Sequence, residues 1–300
     1  MPTTFEDMII DVQAMLHGYV RTQEQATYLM SPLTSSGTLA TVAAPSRLSR
    51  GLAEIDDELV YVDLTSQNSA SDNVTIAPYG RGYMGSVAAS HLANTKVTFA
   101  PLFPRARVKR AVNDTINAVG QDLFAVGTTS FTFTPNIVAY ALPADLTDVM
   151  QVSFATVGPS KMWYPITRYR LDPNANLTAF PTGKTLDIYE PVTPGRTVQV
   201  QYFKTPSEMS EITDGFAATT GLLESSRDCI VYGAAARLTA GIDSAVLNTQ
   251  AIEANVLDDK VQPGAGAALS RSLYQLHRQR LAEERQRYVQ RYPITFHYAR

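Results

Sequence analysis

The chain has 300 residues, of which 45% are hydrophobic and 18% are charged, and its formal net charge is −3 at pH 7. This length suits two domains, or one domain with an insertion, and the hydrophobic fraction is ample for a packed core. The single cysteine, Cys229, excludes an internal disulfide and a cluster of thiolate metal ligands. We expect no signal peptide, because the start MPTTFEDMIIDVQ has no basic region followed by an apolar stretch, and no membrane span, because no apolar run approaches about 20 residues.

The first half of the chain changes its hydrophobic period twice. A helix is predicted from about Phe5, where hydrophobic residues recur every three or four positions as far as Tyr19. From Ala26 to Pro101 hydrophobic and polar residues alternate in short strands, a pattern that is typical of a small barrel or sandwich. The helical period returns after Pro104 and continues to Leu123.

The second half repeats the order of strands followed by helices. A second β region is predicted from about Thr129 to Lys204, and its last two strands flank VTPG, which favours a Pro-Gly hairpin turn. Helices resume near Gly221, and small residues from Gly233 to Ala236 would let another helix approach closely. A helix in SAVLNTQAIEANVLDD, a hinge at Val261 to Ala268 and a basic terminal helix follow.

These elements predict an α+β fold, in which a helical bundle carries inserted antiparallel β modules and an extended C-terminal arm. The predicted helical core comprises residues 1–25, 102–125 and 206–260, and the inserted β module, a small barrel or sandwich, comprises residues 26–101. Residues 126–205 form the second β region, and residues 261–300 form the hinge, the basic helix and the docking arm.

Motifs that would carry enzyme chemistry are weak in this sequence. The segment GRGYMG, from Gly80 to Gly85, matches the dinucleotide-binding pattern, but Pro78 interrupts the preceding strand and no acidic residue follows at about 20 positions. We interpret it as a glycine loop in which glycine supplies positive φ. The acidic trio Asp56, Asp57 and Glu58 could bind a hard cation, but a solvated hairpin tip explains it better. We expect no catalytic residue, no metal and no cofactor.

Cations crowd the first turns of the second predicted helix. They are Arg105, Arg107, Lys109 and Arg110. Cations at a helix N-terminus oppose the helix dipole, at a cost of about 0.3–1 kcal/mol each. Acidic groups of a neighbouring chain, or phosphates, would offset this cost, so the four residues are candidates for a subunit interface. The alternative is that these long side chains bend into solvent.

The last thirty residues, Arg271 to Arg300, combine seven arginines with two glutamates. On the terminal helix, Tyr274, Leu281, Tyr288 and Tyr292 form a stripe that is too narrow for an ordinary core helix. Pro293 ends the helix, and the following residues alternate like a strand that is suited to docking on another polypeptide, rather than fraying. The predicted partner-binding residues are Arg278, Arg280, Arg285, Arg287, Tyr288, Arg291, Tyr292, Ile294, Phe296, Tyr298 and Arg300.

The order of these features resembles the head-to-tail adaptor, or connector, proteins of tailed bacteriophages. The stretches that carry the resemblance are RGLAEIDDELVYV, NVTIAPYGRGYMGSVAASHLANTKVTFAP, FPRARVKRAVNDTINAVGQDLF, YALPADLTDVMQVSF and the arginine-rich C-terminal segment. The resemblance implies a virion structural protein without enzyme activity. It also implies a dodecameric ring under the portal of the filled capsid, which carries the next neck or tail component.

The same resemblance implies the partners of the chain. The segment from Arg278 to Arg300 would reach away from its own subunit to engage the portal, and DNA would pass through the ring only as transient cargo during ejection. The partners are then other copies of the chain, the portal protein and a downstream neck or tail protein, with no membrane. The protein would be made in the host cytoplasm and reside at the head-tail junction of the virion.

Two other functions stay open at this point. The first is a DNA-binding protein that uses the basic cluster Arg105–Arg110 and the C-terminal arginines, and its affinity would fall steeply with salt. The second is a nucleotide-utilising enzyme that uses Gly80–Gly85, and nucleotides would raise its melting temperature.

Overall fold

The computed structural model describes residues 2–19, 24–44, 50–65, 73–156, 162–240 and 265–292. These residues form five α-helices and thirteen β-strands, which confirms the α+β class. The chain divides into two compact units. The barrel unit comprises Glu6–Thr115 and Asp228–His277, and the sandwich unit comprises Met1–Phe5, Ile116–Arg227 and Arg278–Arg300. The helical bundle and the boundaries that the sequence suggests for it stay predictions.

The barrel unit contains one antiparallel sheet of six strands. Its strands lie in the order β1-β6-β3-β4-β5-β2. The sheet curls until its two edges meet, since the Met30 amide donates to the Thr41 carbonyl over 2.8 Å and the Ala43 amide donates to the Tyr28 carbonyl over 2.9 Å. The strands are β1 (Gln25–Tyr28), β2 (Leu39–Thr41), β3 (Gly51–Ile55), β4 (Glu58–Thr65), β5 (Asn73–Ile76) and β6 (Lys96–Phe99).

Side chains along these strands point alternately into and out of the barrel, and the inward-facing ones are mostly small and aliphatic. Ala53 and Ile55 of β3 are buried there with Val60 and Val62 of β4. Glu58 has the same strand parity as Val60 and Val62, so it occupies the inward-facing register at the end of the barrel. The interior is completed by Leu29, Leu33, Ala40, Val42, Val74, Ile76 and Val97.

The sandwich unit contains two antiparallel sheets that share one core. The four-stranded sheet has the order β10-β9-β13-β7, and the three-stranded sheet has the order β11-β12-β8. The buried residues of both sheets form a single hydrophobic cluster. The strands are β7 (Ala125–Thr132), β8 (Ala139–Ala141), β9 (Leu146–Ala155), β10 (Trp163–Ile166), β11 (Tyr169–Asp172), β12 (Thr185–Ile188) and β13 (Thr197–Lys204).

The VTPG segment forms a turn but not the predicted hairpin. The Arg196 amide donates to the Thr193 carbonyl, and Gly195 has φ of 80°. However, β12 pairs with β8 and β11, whereas β13 pairs with β7 and β9. The turn therefore carries the chain from one sheet of the sandwich to the other, and the hairpin prediction is wrong.

The helices are α1 (Phe5–His17), α2 (Arg105–Val119), α3 (Phe216–Thr220), α4 (Arg227–Thr239) and α5 (Ala265–Arg291). None of them is long and apolar enough to cross a membrane. The hinge prediction is wrong for Ala265–Ala268, which belong to α5, because alanine favours the helix and the adjoining Leu269 is buried. The rest of the hinge and the helix predicted in SAVLNTQAIEANVLDD lie outside the described residues.

The small residues of α4 allow the close helix packing that the sequence predicts. A Cβ atom on Gly233 would lie 2.5 Å from Thr115 Cγ2 of α2 and 2.8 Å from His277 Nδ1 of α5. The His277 Nδ1 atom is 2.8 Å from the Cys229 carbonyl oxygen, and both side chains are buried. Gly233 is therefore the point at which α2, α4 and α5 come together within the barrel unit.

We expect Gly233→Val to destabilise the protein, since neither neighbour is a flexible side-chain end that can move away. The expected loss in free energy of unfolding is about 1–3 kcal/mol, measured by urea denaturation. Arg237→Val on the exposed face of the same helix is the control, with an expected change within about 0.5 kcal/mol. Equal effects of the two substitutions would contradict the close approach at Gly233.

Candidate functional site

A buried carboxylate organises one end of the barrel. The Glu58 side chain has no exposed surface and receives a bidentate interaction from Arg81, with Nε–Oε1 and Nη2–Oε2 distances of 2.7 and 2.8 Å. The Gly82 amide donates to it over 2.8 Å and the Ala89 amide over 3.0 Å. His91 Nε2 lies 2.8 Å from Glu58 Oε2. A carboxylate so deeply buried is tolerated because every lone pair is occupied.

The partners of Glu58 extend into a wider network. The remaining donors of Arg81 bind the backbone carbonyls of Thr34, Gly37 and Ala89 at 2.5–2.7 Å. His91 Nδ1 lies 2.9 Å from Asp56 Oδ2. We call Glu58, Arg81, His91 and Asp56 the Glu58 network. It joins the β3–β4 turn, the loop after β1 and the segment between β5 and β6.

The electrostatics of Glu58 follow from these contacts. Burial alone would raise the pKa of this carboxyl group, but hydrogen bonds from Arg81, Ala89, His91 and Gly82 lower it from 4.5 to about 2. Glu58 is consequently ionised throughout the physiological range. Its charge is balanced mainly by the Arg81 guanidinium, which is itself almost fully buried.

The acidic trio is not the solvated hairpin tip that the sequence suggests. Glu58 is buried, Asp56 pairs with His91, and Asp57 pairs with Lys109 Nζ at 2.7 Å. Asp56 and Asp57 do form the turn between β3 and β4, with Asp56 at φ of 53°. Among the described residues, no three acidic, histidine or cysteine side chains are grouped so that they could hold a metal ion.

The cations at the start of α2 obtain their acidic partners from the same chain. The Arg105 guanidinium contacts Glu6 and lies 3.1 Å from Asp57, while its backbone amide donates to Glu54 over 2.5 Å. Burial raises the pKa of Glu54 to about 7, against the opposing effect of Arg105. For Arg105 and Lys109 a neighbouring chain is thus not needed to offset the helix dipole.

The other two cations of this cluster differ from Arg105 and Lys109. Arg107 and Arg110 are exposed, and neither forms an ion pair with any part of the chain that the structure describes. Arg107 and Arg110 remain predicted interface residues. The helical spacing explains the division, since positions 105 and 109 lie on one face of α2.

The segment between β5 and β6 carries an exposed apolar surface. We call Tyr79 to Leu92 the apolar loop. Tyr79 is 98% exposed, Val87 81%, Leu92 77% and Met84 66%. Between Gly82 and Thr95 the sequence has no aspartate, glutamate, lysine or arginine. Exposed aromatic and methionine side chains without charges are typical of the centre of a protein–protein interface.

The glycines of GRGYMG have the structural role that the sequence indicates. Gly82 and Gly85 have φ of 60° and 85°, and a Cβ on Gly80 would lie 2.8 Å from the Tyr61 carbonyl oxygen. Only a single 3₁₀ turn, Tyr83–Gly85, follows instead of the long helix of a dinucleotide site. The glycine-loop interpretation is therefore confirmed.

An open cleft is lined in large part by the apolar loop itself, from Gly85 to His91. Its volume is about 420 Å³. Val87 and Ala89 of the loop, together with Ala106 of α2, supply apolar parts of its wall. Asp56, Ser90 and Lys109 supply polar parts. The cleft thus offers both apolar contact and hydrogen-bonding groups within the barrel unit.

The terminal helix α5 is attached to its own chain, and this corrects part of the predicted docking surface. Tyr288 is 1% exposed, and its hydroxyl accepts a hydrogen bond from the Leu223 amide over 2.7 Å. Its ring lies edge-on to Phe124, with 5.4 Å between centroids. Burial raises the pKa of Tyr288 to about 12. Tyr288 is therefore a core residue of the sandwich unit and is not available to a partner in this structure.

The buried face of α5 agrees with the predicted stripe only in part: Tyr288 is buried, and Leu281 and Tyr292 are partly buried. Tyr274, which belongs to that stripe, is 54% exposed. The buried positions are Leu269, Leu273, His277, Glu284 and Tyr288. Because His277 and Glu284 are polar, a search for apolar periodicity does not detect this face. Glu284 is nevertheless satisfied, because it accepts hydrogen bonds from Ser225 and Arg287 at 2.6 and 2.5 Å.

The predicted arginines of α5 fall into two groups. Arg280 and Arg287 pair with glutamates of the same helix, and Arg285 lies 3.3 Å from Asp122. Arg278 and Arg291 are exposed and form no ion pair within the described ranges, although Arg291 lies over the half-buried ring of Tyr292. The remaining predicted residues, Ile294, Phe296, Tyr298 and Arg300, lie outside the described part of the chain.

The sequence did not point to Arg81, His91 or the apolar loop as functional features. The available signal was the uncharged run from Gly82 to Thr95, which contrasts with its neighbours Arg81 and Lys96. Nothing in a linear pattern indicates that Arg81 and His91 meet the same carboxylate, since that requires the closed barrel.

Comparison with known proteins gives one family. The family model described as SU10 adaptor protein matches residues 86–292, which is well over half of the chain. The match begins within the apolar loop and extends to the end of α5. A comparison with curated proteins gives no match.

We expect Glu58→Gln to reduce the free energy of unfolding by about 3–5 kcal/mol, because it leaves the buried Arg81 charge without a counter-charge. Urea denaturation at neutral pH measures this loss. Asp63→Asn on the same strand is the matched control: its partner Arg50 is exposed, so the loss should be at most about 1 kcal/mol. The double change Glu58→Met with Arg81→Met should recover part of the loss.

The low pKa of Glu58 also predicts an acid dependence of stability. A carboxyl whose pKa is lower in the folded state stabilises the protein above its unfolded pKa, and this contribution is lost as the pH falls. The loss should occur between the ordinary value of 4.5 and the folded value of about 2. Unfolding measured across this window should show a smaller pH slope in Glu58→Gln than in the wild type, whereas Asp63→Asn should keep most of the slope.

Proposed function

The chain belongs to the SU10 adaptor protein family, and from this membership we propose that it forms a ring between the portal and the tail or neck of a tailed bacteriophage. Membership makes the protein a phage structural adaptor and a virion component. The ring, its dodecameric copy number and its position at the head-tail junction are the proposal. The single observation that carries it is the family match over residues 86–292.

Docking on the portal is assigned to the end of the chain. Tyr288 and Glu284 attach α5 to the segment around Leu223 and Ser225, which gives the residues after Tyr292 a fixed origin. Those residues, Pro293 to Arg300, supply the apolar and aromatic side chains of the predicted docking strand. Arg278 and Arg291 add exposed cations that can bind carboxylates of the portal.

The multiplicity of a ring makes strong individual contacts unnecessary. When identical arms engage identical sites on a symmetric partner, each contact after the first is intramolecular, and the overall affinity greatly exceeds that of one arm. An eight-residue arm is therefore sufficient for stable attachment. The same ring leaves a central channel for DNA.

The charge distribution supports DNA as cargo rather than as a bound ligand. The net charge of −3 disfavours phosphate binding. Of the predicted basic clusters, Arg105, Lys109, Arg280, Arg285 and Arg287 are paired with carboxylates of the same chain. A DNA-binding protein would need most of these cations free, so we regard that alternative as the weaker one.

We expect removal of Pro293–Arg300 to abolish attachment to rings of the portal protein of the same virus. Co-sedimentation with the portal rings measures attachment, and the melting temperature should stay within about 2 °C of the wild type, because Tyr288 and its partners remain. Tyr288→Ala is the contrasting variant: it should lower the melting temperature markedly, because it removes a buried side chain.

Two outcomes would count against this assignment. Attachment of the truncated protein with unchanged affinity would remove the docking role from the C-terminal segment. Tight and salt-sensitive binding of duplex DNA in a gel shift, abolished by Arg107→Ala with Arg110→Ala, would favour the DNA-binding alternative.

A further inference from the structure

We propose that residues 293–300 add to the outer edge of β7 as a further strand whenever the portal is not engaged. We call this edge of β7 the resting site. The inference rests on the proposed function, because it concerns the same segment to which portal docking is assigned. It adds a closed state of the subunit, from which the portal must release the segment.

The outer edge of β7 carries backbone groups that the described part of the sandwich unit does not use. Among the described strands, β7 pairs with β13 alone. The Phe133 amide donates to the Arg196 carbonyl, and the ladder continues without a bulge as far as Ala125, so the odd-numbered residues of β7 bond to β13. The amides and carbonyls of the even-numbered residues, such as Thr128 and Ser130, therefore point away from the sheet. They form no hydrogen bond with any other residue that the structure describes.

β7 lacks the features by which the other edge strands of this unit avoid pairing. Exposed edge strands are usually short, charged or interrupted by proline. β8 has three residues, β10 and β11 have four each, and Pro165 lies within β10. β7 has eight residues, AVGTTSFT, with no proline and no charged side chain. An edge of this length and composition is expected to be covered by another strand.

The docking segment starts beside the first residue of this edge. The Tyr292 ring lies 5.8 Å from the ring of Phe124, which directly precedes β7. The Tyr292 amide donates to the Tyr288 carbonyl, so the chain is held to α5 up to this point. Eight residues follow Tyr292, as many as β7 contains, and in extended conformation they span about 26 Å. A segment that begins at the start of β7 and follows it would pair with it in parallel.

The alternation of the segment matches the two faces of β7. Three apolar or aromatic residues alternate with smaller or polar ones, namely Ile294, Phe296 and Tyr298 with Thr295, His297 and Ala299. On β7, Phe131 is partly buried and packs against the core of the sandwich, whereas Thr128 and Ser130 are exposed. An added strand can therefore place its three apolar side chains on the Phe131 face and its other side chains on the exposed face.

The origin of the segment favours this occupant over a second copy of the chain. A segment that is tethered next to its site has an effective concentration in the millimolar range. A second copy at micromolar concentration would compete poorly for the same edge. A portal ring can nevertheless displace the segment, because it presents many identical sites and several arms engage them together.

Hydrogen exchange of individual amides, measured by NMR on the full-length chain, tests the pairing. Removal of residues 293–300 should make the Thr128 and Ser130 amides exchange about tenfold faster, since their bonding partners are then absent. The Thr129 and Phe131 amides bond to β13 in both proteins and are the matched control, with an expected change of less than about twofold. Equal exchange of Thr128 and Ser130 in the two proteins would overturn the proposal. Slower exchange at higher protein concentration would also overturn it, because a second copy would then occupy the edge.

A substitution within β7 connects the resting site to portal docking. Thr128→Pro removes an outward-facing amide and leaves the bonds to β13 in place, so it should block the added strand and speed exchange at Ser130. With a tenfold excess of the closed state, release of the segment should raise the affinity for portal rings about tenfold. Thr128→Ala keeps the amide and is the control, with wild-type exchange and affinity. Wild-type affinity in a folded Thr128→Pro variant would contradict the closed state, and the truncation decides the test if this variant unfolds.

The resting site and the docking role can fail independently. Faster exchange in the truncated protein, together with undiminished attachment to portal rings, would support the resting site and remove the docking role. Lost attachment together with unchanged exchange would support the docking role and overturn the resting site.

Discussion

The Glu58 carboxylate is the constraint on which the barrel unit depends. A charge buried at the end of a closed barrel must be neutralised by the chain around it, and all the groups that bind Glu58 come from the segment between β5 and β6. Arg81 is itself buried and must satisfy its remaining donors, so it binds the backbone of the loop after β1. One ion pair thus determines the course of two loops. The same contacts fix the backbone of the segment between β5 and β6, because the Gly82 and Ala89 amides bind Glu58 and the Ala89 carbonyl binds Arg81.

Features that depend on residues close together in the sequence could be predicted, whereas features that depend on distant residues could not. Alternation along LAEIDDELVYVDL is sufficient to predict paired strands, and the glycines of GRGYMG indicate their own positive φ angles. The turn at VTPG was also correct as a turn. Its strands nevertheless belong to different sheets, because turn chemistry fixes a reversal of the chain but not the partners of the flanking strands. The solvated tip at Asp56 to Glu58 failed for the same reason, since Arg81, His91 and Arg105 approach only after the sheet has closed.

The terminal helix shows a different limit of sequence reasoning. Its high content of arginine suggested a helix that belongs on another molecule, yet Glu284 and Tyr288 are buried and hydrogen-bonded to groups of their own unit. Polar residues on a buried face carry no hydrophobic period, so the predicted stripe included the exposed Tyr274 and missed the buried His277 and Glu284. What the sequence indicated correctly was the end of the helix, since α5 stops at Arg291, just before Pro293. The docking role that we propose is therefore assigned to the residues that follow the helix.

The way in which Glu58 holds the apolar loop has an evolutionary consequence. Of its four partners, Gly82 and Ala89 contribute only main-chain amides, and Arg81 and His91 lie near the ends of the segment. Apart from Ser86 and Tyr83, whose ring lies 5.5 Å from that of Tyr61, the side chains at positions 83 to 88 form no hydrogen bond or ring contact with the described residues. Substitutions at exposed positions such as Val87 can therefore change this surface over evolution without the loss of a contact to the barrel.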